Sequence, residues 1–246
     1  MTPFAYEVTG DDKLSTQHVF LTLLFSVLLM SNLTRVAPKV GVRVSTARRT
    51  KRQQRDESID KLLSAAKSQF VSKGYRGTTL EQIATAAGLT KGAVYFHFGA
   101  KELVLVQLLE RIKDQLIEPA LDILKSPGSP AFDKLVGFLR LHGEMGVTHR
   151  EDMLLLISMS IEFAEVDGEA ANAIKQMYAT LHSAIEALIQ RGQASGEFRR
   201  DAPAAELASI VIATHNGAFL EWYRRSTQLD GRNLVRAVVS VLMHGL

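Results

Sequence analysis

The feature that most constrains the fold is a pair of short helical segments that meet at a glycine, in residues 78–98, TTLEQIATAAGLTKGAVYFHF. Thr79, followed three positions later by Gln82, is a capping box, and Thr90 offers the hydroxyl for a second N-cap. Gly88 supplies the backbone freedom that a sharp turn between helices requires. This spacing predicts a helix-turn-helix, although an ordinary helical hairpin would share it.

A longer amphipathic helix precedes this pair, and its apolar positions recur every three or four residues until Gly74 ends it. From Asp56 onward the pattern is helical, and no alternating strand pattern is present. Further helices are predicted from Lys101 to about Leu124, with Pro119 kinking or breaking the end, and then over 131–147, 151–165, 169–194, 203–225 and 231–245. The predicted fold class is therefore all-α.

Composition excludes several kinds of protein. The chain of 246 residues is 46% hydrophobic, enough for a substantial core, and it has no cysteine. Disulfide scaffolds, zinc ribbons and thiol nucleophiles are thereby excluded, and a cytoplasmic location is expected. There is no phosphate-binding loop, partnered nucleophile or HExxH-type motif, so we predict neither an enzyme nor a metal site, and no cofactor.

Charge is distributed unevenly along the chain. Residues 31–101 contain 14 Lys and Arg against 4 Asp and Glu, whereas residues 102–246 contain 14 against 19. Within the basic part, residues 35–55 carry eight cations and no acid, which predicts a flexible arm that follows a polyanion such as DNA. Arg52 and Arg55, at the end of this arm, are candidate DNA contacts. A solvated basic tail without a partner is the alternative.

The longest apolar run is HVFLTLLFSVLLMSNL, residues 18–33. It is shorter than the ~20 residues of a membrane-spanning helix, and it lacks the flanks of a signal peptide. We expect Met30 to serve as the start codon, so that the preceding residues are mis-assigned or dispensable. A short membrane anchor is the alternative. Residues 1–54 are accordingly predicted to be an N-terminal extension, an apolar run followed by the basic arm.

The segment that begins at Lys91 predicts a helix with an inner and an outer face. Val94 and Phe98 lie on one face and can close a small core. Lys91 and Gly92 lie in the exposed first turn, where a recognition helix meets base edges, and glycine has no side chain to hold a partner away.

The remaining large groups of this segment are candidate DNA contacts as well. Tyr95 and His97 can form hydrogen bonds with phosphate oxygens, and Lys101 adds a cation at the start of the next helix. Phe96 can either pack in the core or contact a sugar or a thymine methyl group.

These residues resemble the tetracycline-repressor (TetR/AcrR) family of bacterial transcription factors. The resemblance rests on an apolar stripe from Ile59 to Phe70 and on the pattern G-Y-x-x-T-T-L-x-x-I-A-x-x-A-G-L-T-K-G-A-V-Y-F-H-F-x-x-K-E over residues 74–102. It implies a three-helix DNA-binding domain over 55–101 and a larger helical ligand-binding and dimerisation domain over 102–246. The residues that it implies at the DNA are Thr79, Lys91, Gly92, Tyr95, His97 and Lys101. Thr90 and Phe96, beside them, are further candidate contacts.

The resemblance also implies a homodimer formed through the last two long helices, and the wide apolar stripes of those helices agree with it. Such a dimer would present its two recognition helices to a near-palindromic double-stranded operator. The middle helices should enclose a cavity for a small hydrophobic effector. Candidate lining residues are Phe138, His142, Met145, Met159, Phe163, Tyr178, His182, Phe219 and Trp222.

The predicted function is thus a ligand-responsive transcriptional regulator, a repressor that an effector releases from its operator. The alternative, resting on residues 18–33, is a helical protein or regulator tethered to a membrane. A membrane partner is not expected.

Overall fold

The computed structural model describes residues 50–225 and 228–245, and in these ranges the backbone is helical without any strand. The all-α prediction is therefore confirmed. The helices are α1 Lys51–Lys73, α2 Leu80–Ala86, α3 Lys91–Phe98, α4 Lys101–Ile112, a π-helical segment Lys113–Ile117, α5 Glu118–Lys125, α6 Ala131–Thr148, α7 Arg150–Glu162, α8 Glu169–Ser195, α9 Ala204–Arg224 and α10 Gly231–Gly245.

Helix α1 begins earlier than the sequence pattern indicates. The Thr50 hydroxyl accepts a hydrogen bond from the Gln53 amide, and the Gln53 side chain accepts one from the Thr50 amide. This capping box starts the helix at Lys51, so the prediction of a flexible arm is wrong for residues 51–55. The rest of the arm and the apolar run 18–33 lie outside the described residues. None of the described helices is long and apolar enough to span a membrane.

Helices α1, α2 and α3 form the predicted helix-turn-helix around a small core. Phe70 and Ile83 are fully buried, as are Leu62 and Val94. The Leu89 amide donates to the Ala84 carbonyl at 2.9 Å across the turn. Gly88 has φ +66°, the left-handed conformation in which glycine avoids steric strain.

The helix predicted from Lys101 to about Leu124 is not one regular α-helix. Its α-helical pattern is interrupted just before Pro119. Helix α4 passes into the π-helical segment, and α5 then begins with Pro119 in its first turn. Proline has no N–H to donate to the carbonyl four residues earlier, and its ring crowds that carbonyl. A wider π turn before the proline accommodates both effects, and the helical backbone continues through it into α5.

Within the part of the chain that the structure describes, the last two helices bury only part of their apolar stripes. Leu207 and Val211 of α9 are buried, but Ile210 on the same helix is 51% exposed. In α10 the one buried residue among those described is Leu242, and Val241 is 70% exposed. Each helix therefore carries apolar surface that the described residues do not cover.

Candidate nucleic-acid interface and effector cavity

The orientation of α2 and α3 is set by their N-caps. The Thr79 hydroxyl accepts from the Gln82 amide at 3.2 Å, and the Thr90 hydroxyl accepts from the Ala93 amide at 3.2 Å. Both threonines are exposed. Each hydroxyl keeps one proton to donate. The Thr79 hydroxyl has the Glu81 side chain as a partner, and the Thr90 hydroxyl can donate to a phosphate.

The outer face of α3 carries the predicted contact residues. Lys91, Gly92 and Tyr95 are exposed, and the Phe96 ring is 81% exposed. Val94 and Phe98 on the opposite face are buried, as predicted. Phe96 therefore does not pack in the core, and its ring forms part of the same outward surface as Lys91 and Tyr95.

Glu81 of α2 pairs with two of these residues and was not among the predicted contacts. Its Oε1 lies 2.6 Å from Lys91 Nζ, and it accepts a hydrogen bond from the Tyr95 hydroxyl at 3.2 Å. The hydrogen bond from Lys91 is the main cause that lowers the pKa of Glu81 to about 2. The sequence did hold a signal, because Glu81 is one of few acids in a strongly basic segment.

We expect Glu81→Gln to strengthen binding to DNA of any sequence and to steepen its salt dependence, with a log–log slope larger by about 1. The amide removes a negative charge that faces the phosphates and releases Lys91. Fluorescence anisotropy across a series of salt concentrations measures both quantities. Glu110→Gln, which makes the same charge change on the exposed face of α4, is the control. Equal slopes for the two variants would contradict this role of Glu81.

Lys101, the predicted contact at the start of α4, forms hydrogen bonds within the chain. Its Nζ donates to the carbonyls of Tyr75 and Thr78, at 2.7 and 2.8 Å, and lies 4.1 Å from the centre of the Tyr75 ring. These two hydrogen bonds leave one of its three N–H donors, and the contact of Lys101 with a phosphate stays a prediction. The ammonium joins the start of α4 to the loop before α2, and it thereby positions the helix-turn-helix.

His97 lies at the end of α3, near Arg55 of α1. Its ring is partly buried, and Nδ1 has no hydrogen-bond partner among the described residues. Burial, followed by the positive charge of Arg55, lowers the pKa of His97. Arg52 and Arg55 are both exposed on α1. The structure thus brings Arg55 and His97 together, with His97 as a neutral ring rather than a cation.

Helix α7 is joined at both ends to the helix-turn-helix. Near its start, Asp152 accepts from Lys67 Nζ of α1 at 2.8 Å, and the Asp152 side chain is 9% exposed. At its end, the Glu162 carboxylate accepts from the amides of Tyr75 and Arg76 at 2.9 and 2.8 Å. Phe163 packs edge-on against Tyr75, with ring centres 4.9 Å apart.

Two cavities lie on either side of the same pair of histidines, His142 of α6 and His215 of α9. The outer cavity, about 60 Å³, lies among α6, α9 and α10, and the inner cavity, about 30 Å³, among the π-helical segment and α6–α9. Phe219 and Trp222 line the outer cavity; Phe138 and Tyr178 line the inner one.

Other predicted lining residues lie elsewhere. Met145 and Met159 are buried but border neither cavity, and Phe163 belongs to the junction with Tyr75. His182 lies in an open surface groove, where Nε2 is 3.1 Å from the Ala205 carbonyl. His215 and Asn216 border the inner cavity and were not predicted. The sequence signal that could have identified them is two adjacent polar residues within the apolar stripe of α9. No group of His, Asp and Glu side chains in the described ranges could hold a metal ion.

Comparison with known proteins agrees with this architecture. Residues 62–108 match the family model described as bacterial regulatory proteins, tetR family, and residues 128–246 match the tetracyclin repressor-like C-terminal domain. The structure of the MbdR regulator from Azoarcus sp. CIB is 40% identical, with a TM-score of 0.70, and the match covers 77% of this chain and 98% of that one.

Two further proteins are similar over about three quarters of this chain. The transcriptional repressor KstR2 of Mycolicibacterium smegmatis is 24% identical over 76% of this chain and 89% of its own length. The structure of AibR in complex with isovaleryl coenzyme A and operator DNA has a TM-score of 0.67 at 19% identity, and the match covers 76% of this chain and 98% of that one.

Proposed function

The chain belongs to the TetR family of bacterial regulatory proteins, and we propose that it is a repressor that binds a near-palindromic operator as a homodimer and is released by a small hydrophobic effector. In this proposal α1–α3 form the DNA-binding domain, and residues 102–246 form the effector-binding and dimerisation domain.

The observation that carries the proposal is the outward face of α3. Its first turn presents Lys91 and the uncovered backbone at Gly92, and the next turn presents Tyr95 and Phe96. The Phe96 ring is 81% exposed beside this lysine, so most of its surface is available to a partner. In a major groove the lysine can donate to guanine, and the ring can contact a thymine methyl group.

The dimer is proposed from the uncovered apolar surface of α9 and α10. Ile210 and Val241 are more than half exposed, at 51% and 70%. A two-fold partner that packs the same helices against these would bury both and would place two copies of α3 about 34–36 Å apart. That separation is one turn of DNA, so the operator should contain two inverted half-sites.

We propose that α7 carries the response from the cavity to the DNA-binding domain. Met153 and Ile157 of α7 border the inner cavity, and Asp152 and Glu162 of the same helix bind α1 and the loop that follows it. An effector that displaces α7 must also displace α1 and this loop. The effector shifts the population only as far as its affinities for the two arrangements differ.

We expect Glu162→Ala to release the loop after α1 from α7. The amides of Tyr75 and Arg76 lose their charged acceptor, and a hydrogen bond to a charged group contributes about 1.5–3 kcal/mol. Their hydrogen exchange should therefore accelerate by roughly tenfold or more, as measured by NMR or mass spectrometry. Glu165→Ala, an exposed acid just beyond α7, should leave these amides unchanged. Unchanged exchange in Glu162→Ala would disprove the link.

The function is tested by a gel-shift titration of the full chain with DNA from upstream of its own gene. We expect one specific complex with two chains per operator, and an affinity that falls steeply with salt. A scrambled fragment of the same length is the control. Binding that does not distinguish the two fragments at low salt would contradict the proposal.

A further inference from the structure

The histidine pair between the two cavities allows a more specific inference about the effector, which rests on the proposed function. Nδ1 of His142 lies 3.1 Å from Nε2 of His215, and the two rings meet edge to face with centres 4.5 Å apart. His142 is only 5% exposed, and Phe138 stacks against it at 4.4 Å. The other nitrogen of His142, Nε2, is buried and receives no hydrogen bond from the described residues.

The direction of the hydrogen bonds around this pair can be followed from a backbone carbonyl. The Ser160 hydroxyl donates to the Ile157 carbonyl at 2.7 Å, so its oxygen can act only as an acceptor towards other groups. The Tyr178 hydroxyl lies near the side chains of Ser160 and Asn216. A Tyr178 hydroxyl that donates to Ser160 keeps its oxygen to accept from the Asn216 amide nitrogen, in agreement with the Asn216 Oδ1 that faces His215.

The Asn216 Oδ1 lies 3.3 Å from His215 Nδ1, and because it can only accept, His215 Nδ1 is the donor. Burial lowers the pKa of His215 to about 4, and burial followed by repulsion from His215 lowers the pKa of His142 well below its usual value. Both rings are therefore neutral, with one N–H each. Nε2 of His215 then accepts from Nδ1 of His142, which leaves a lone pair on the buried Nε2 of His142.

We propose that Nε2 of His142 is the polar recognition point for the effector, and that the effector is a compact apolar molecule presenting one neutral hydrogen-bond donor, a hydroxyl or an N–H group. A buried acceptor without a donor is costly, and a ligand that supplies the donor removes this cost. A carboxylate fits poorly, because it offers no proton and would itself have to be buried as a charge.

The cavities also explain how such a ligand would produce a response. A ring the size of benzene needs a cavity of about 150 Å³, more than the 60 Å³ of the outer cavity. The ligand must therefore enlarge the outer cavity. Of the three helices that line it, α10 has the fewest buried side chains, so we expect α10 to move. At Gly143 a side chain would collide with Val235 of α10, so α6 and α10 are in close contact where they must separate. Movement of α10 would alter the proposed dimer surface.

The test is calorimetric binding of three small probes to the full chain without DNA. p-Cresol presents a hydroxyl, p-xylene replaces it with a methyl group of similar size, and 4-methylbenzoate replaces it with a carboxylate. We expect p-cresol to bind roughly tenfold or more tightly than either of the others. In His142→Phe, which keeps an aromatic ring but has no acceptor, this preference should disappear. Equal affinities for p-cresol and p-xylene in the natural sequence, or no binding of any probe, would overturn the proposal.

A second measurement does not depend on a variant that folds. Nitrogen-15 NMR of the histidine-labelled natural chain distinguishes protonated from unprotonated ring nitrogens. We expect the proton of His142 on Nδ1, and we expect the Nε2 signal to shift when p-cresol is added. A proton on Nε2 would overturn the assignment. Neither experiment involves an operator, so failure here leaves the gel-shift result intact, and failure of the gel shift leaves these results intact.

Discussion

Gly92→Asp should raise the dissociation constant for the operator by about 100-fold or more, a loss of about 2.7 kcal/mol, without destabilising the protein. A Cβ at Gly92 would meet only the Thr90 hydroxyl, at 3.9 Å, so the free protein has room for the side chain. An acid in the first turn of a helix is also favourable, by about 0.3–1 kcal/mol. On the proposed complex, however, the carboxylate would project into the groove and be repelled by the phosphates.

The matched control is Gly245→Asp. It makes the same change of charge at an exposed glycine in α10 with no atom near the added Cβ. Gel shift gives the affinity of each variant, and thermal unfolding gives its stability. If the dissociation constant of Gly92→Asp for the operator lay within threefold of that of the natural chain, the first turn of α3 would not approach the DNA.

Phe70→Ala should destabilise the protein by about 3–5 kcal/mol, the usual cost of removing a buried phenylalanine ring. The Phe70 side chain is fully buried, and its ring lies 5.4 Å from that of Tyr75. Tyr75 in turn contacts Phe163 and Lys101, so the cavity would loosen the junction as well as the core of α1–α3. We expect the melting temperature to fall by roughly 6–20 °C, together with a loss of DNA binding.

The neighbouring position provides the control for this variant. Val71 is partly buried on the same helix, so Val71→Ala removes less contact and should cost less than about 1.5 kcal/mol. Chemical denaturation measures both values. A loss below about 1 kcal/mol in Phe70→Ala would mean that the core around α1 is not packed as described.

The helix-turn-helix was predictable because its signals are local. The capping box of Thr79 and Gln82 and the left-handed Gly88 act within a few residues of the chain, and the structure contains both. The apolar spacing that assigned Val94 and Phe98 to the core is equally local. Such features follow from backbone geometry and short-range hydrogen bonds, without knowledge of the tertiary structure.

What the sequence did not reveal depends on residues far apart in the chain. The Lys101 ammonium donates hydrogen bonds to the carbonyls of Tyr75 and Thr78, which lie 26 and 23 positions away in the chain. Glu81 meets Tyr95 across the turn, 14 positions away. His142 and His215 are separated by 73 positions. A hydrophobic pattern does not specify which polar side chains meet when the helices pack, so these pairs were found only in the structure.

The most direct test of the account compares Lys91→Ala with the natural chain on the operator and on every single-base variant of it. If the first turn of α3 lies in the major groove, the variant should lose about 1–3 kcal/mol of discrimination at one or two base pairs of each half-site and keep its preferences elsewhere. A uniform loss of affinity over all variants, with every base preference retained, would show that Lys91 does not contact base edges and would contradict the placement of α3 in the groove.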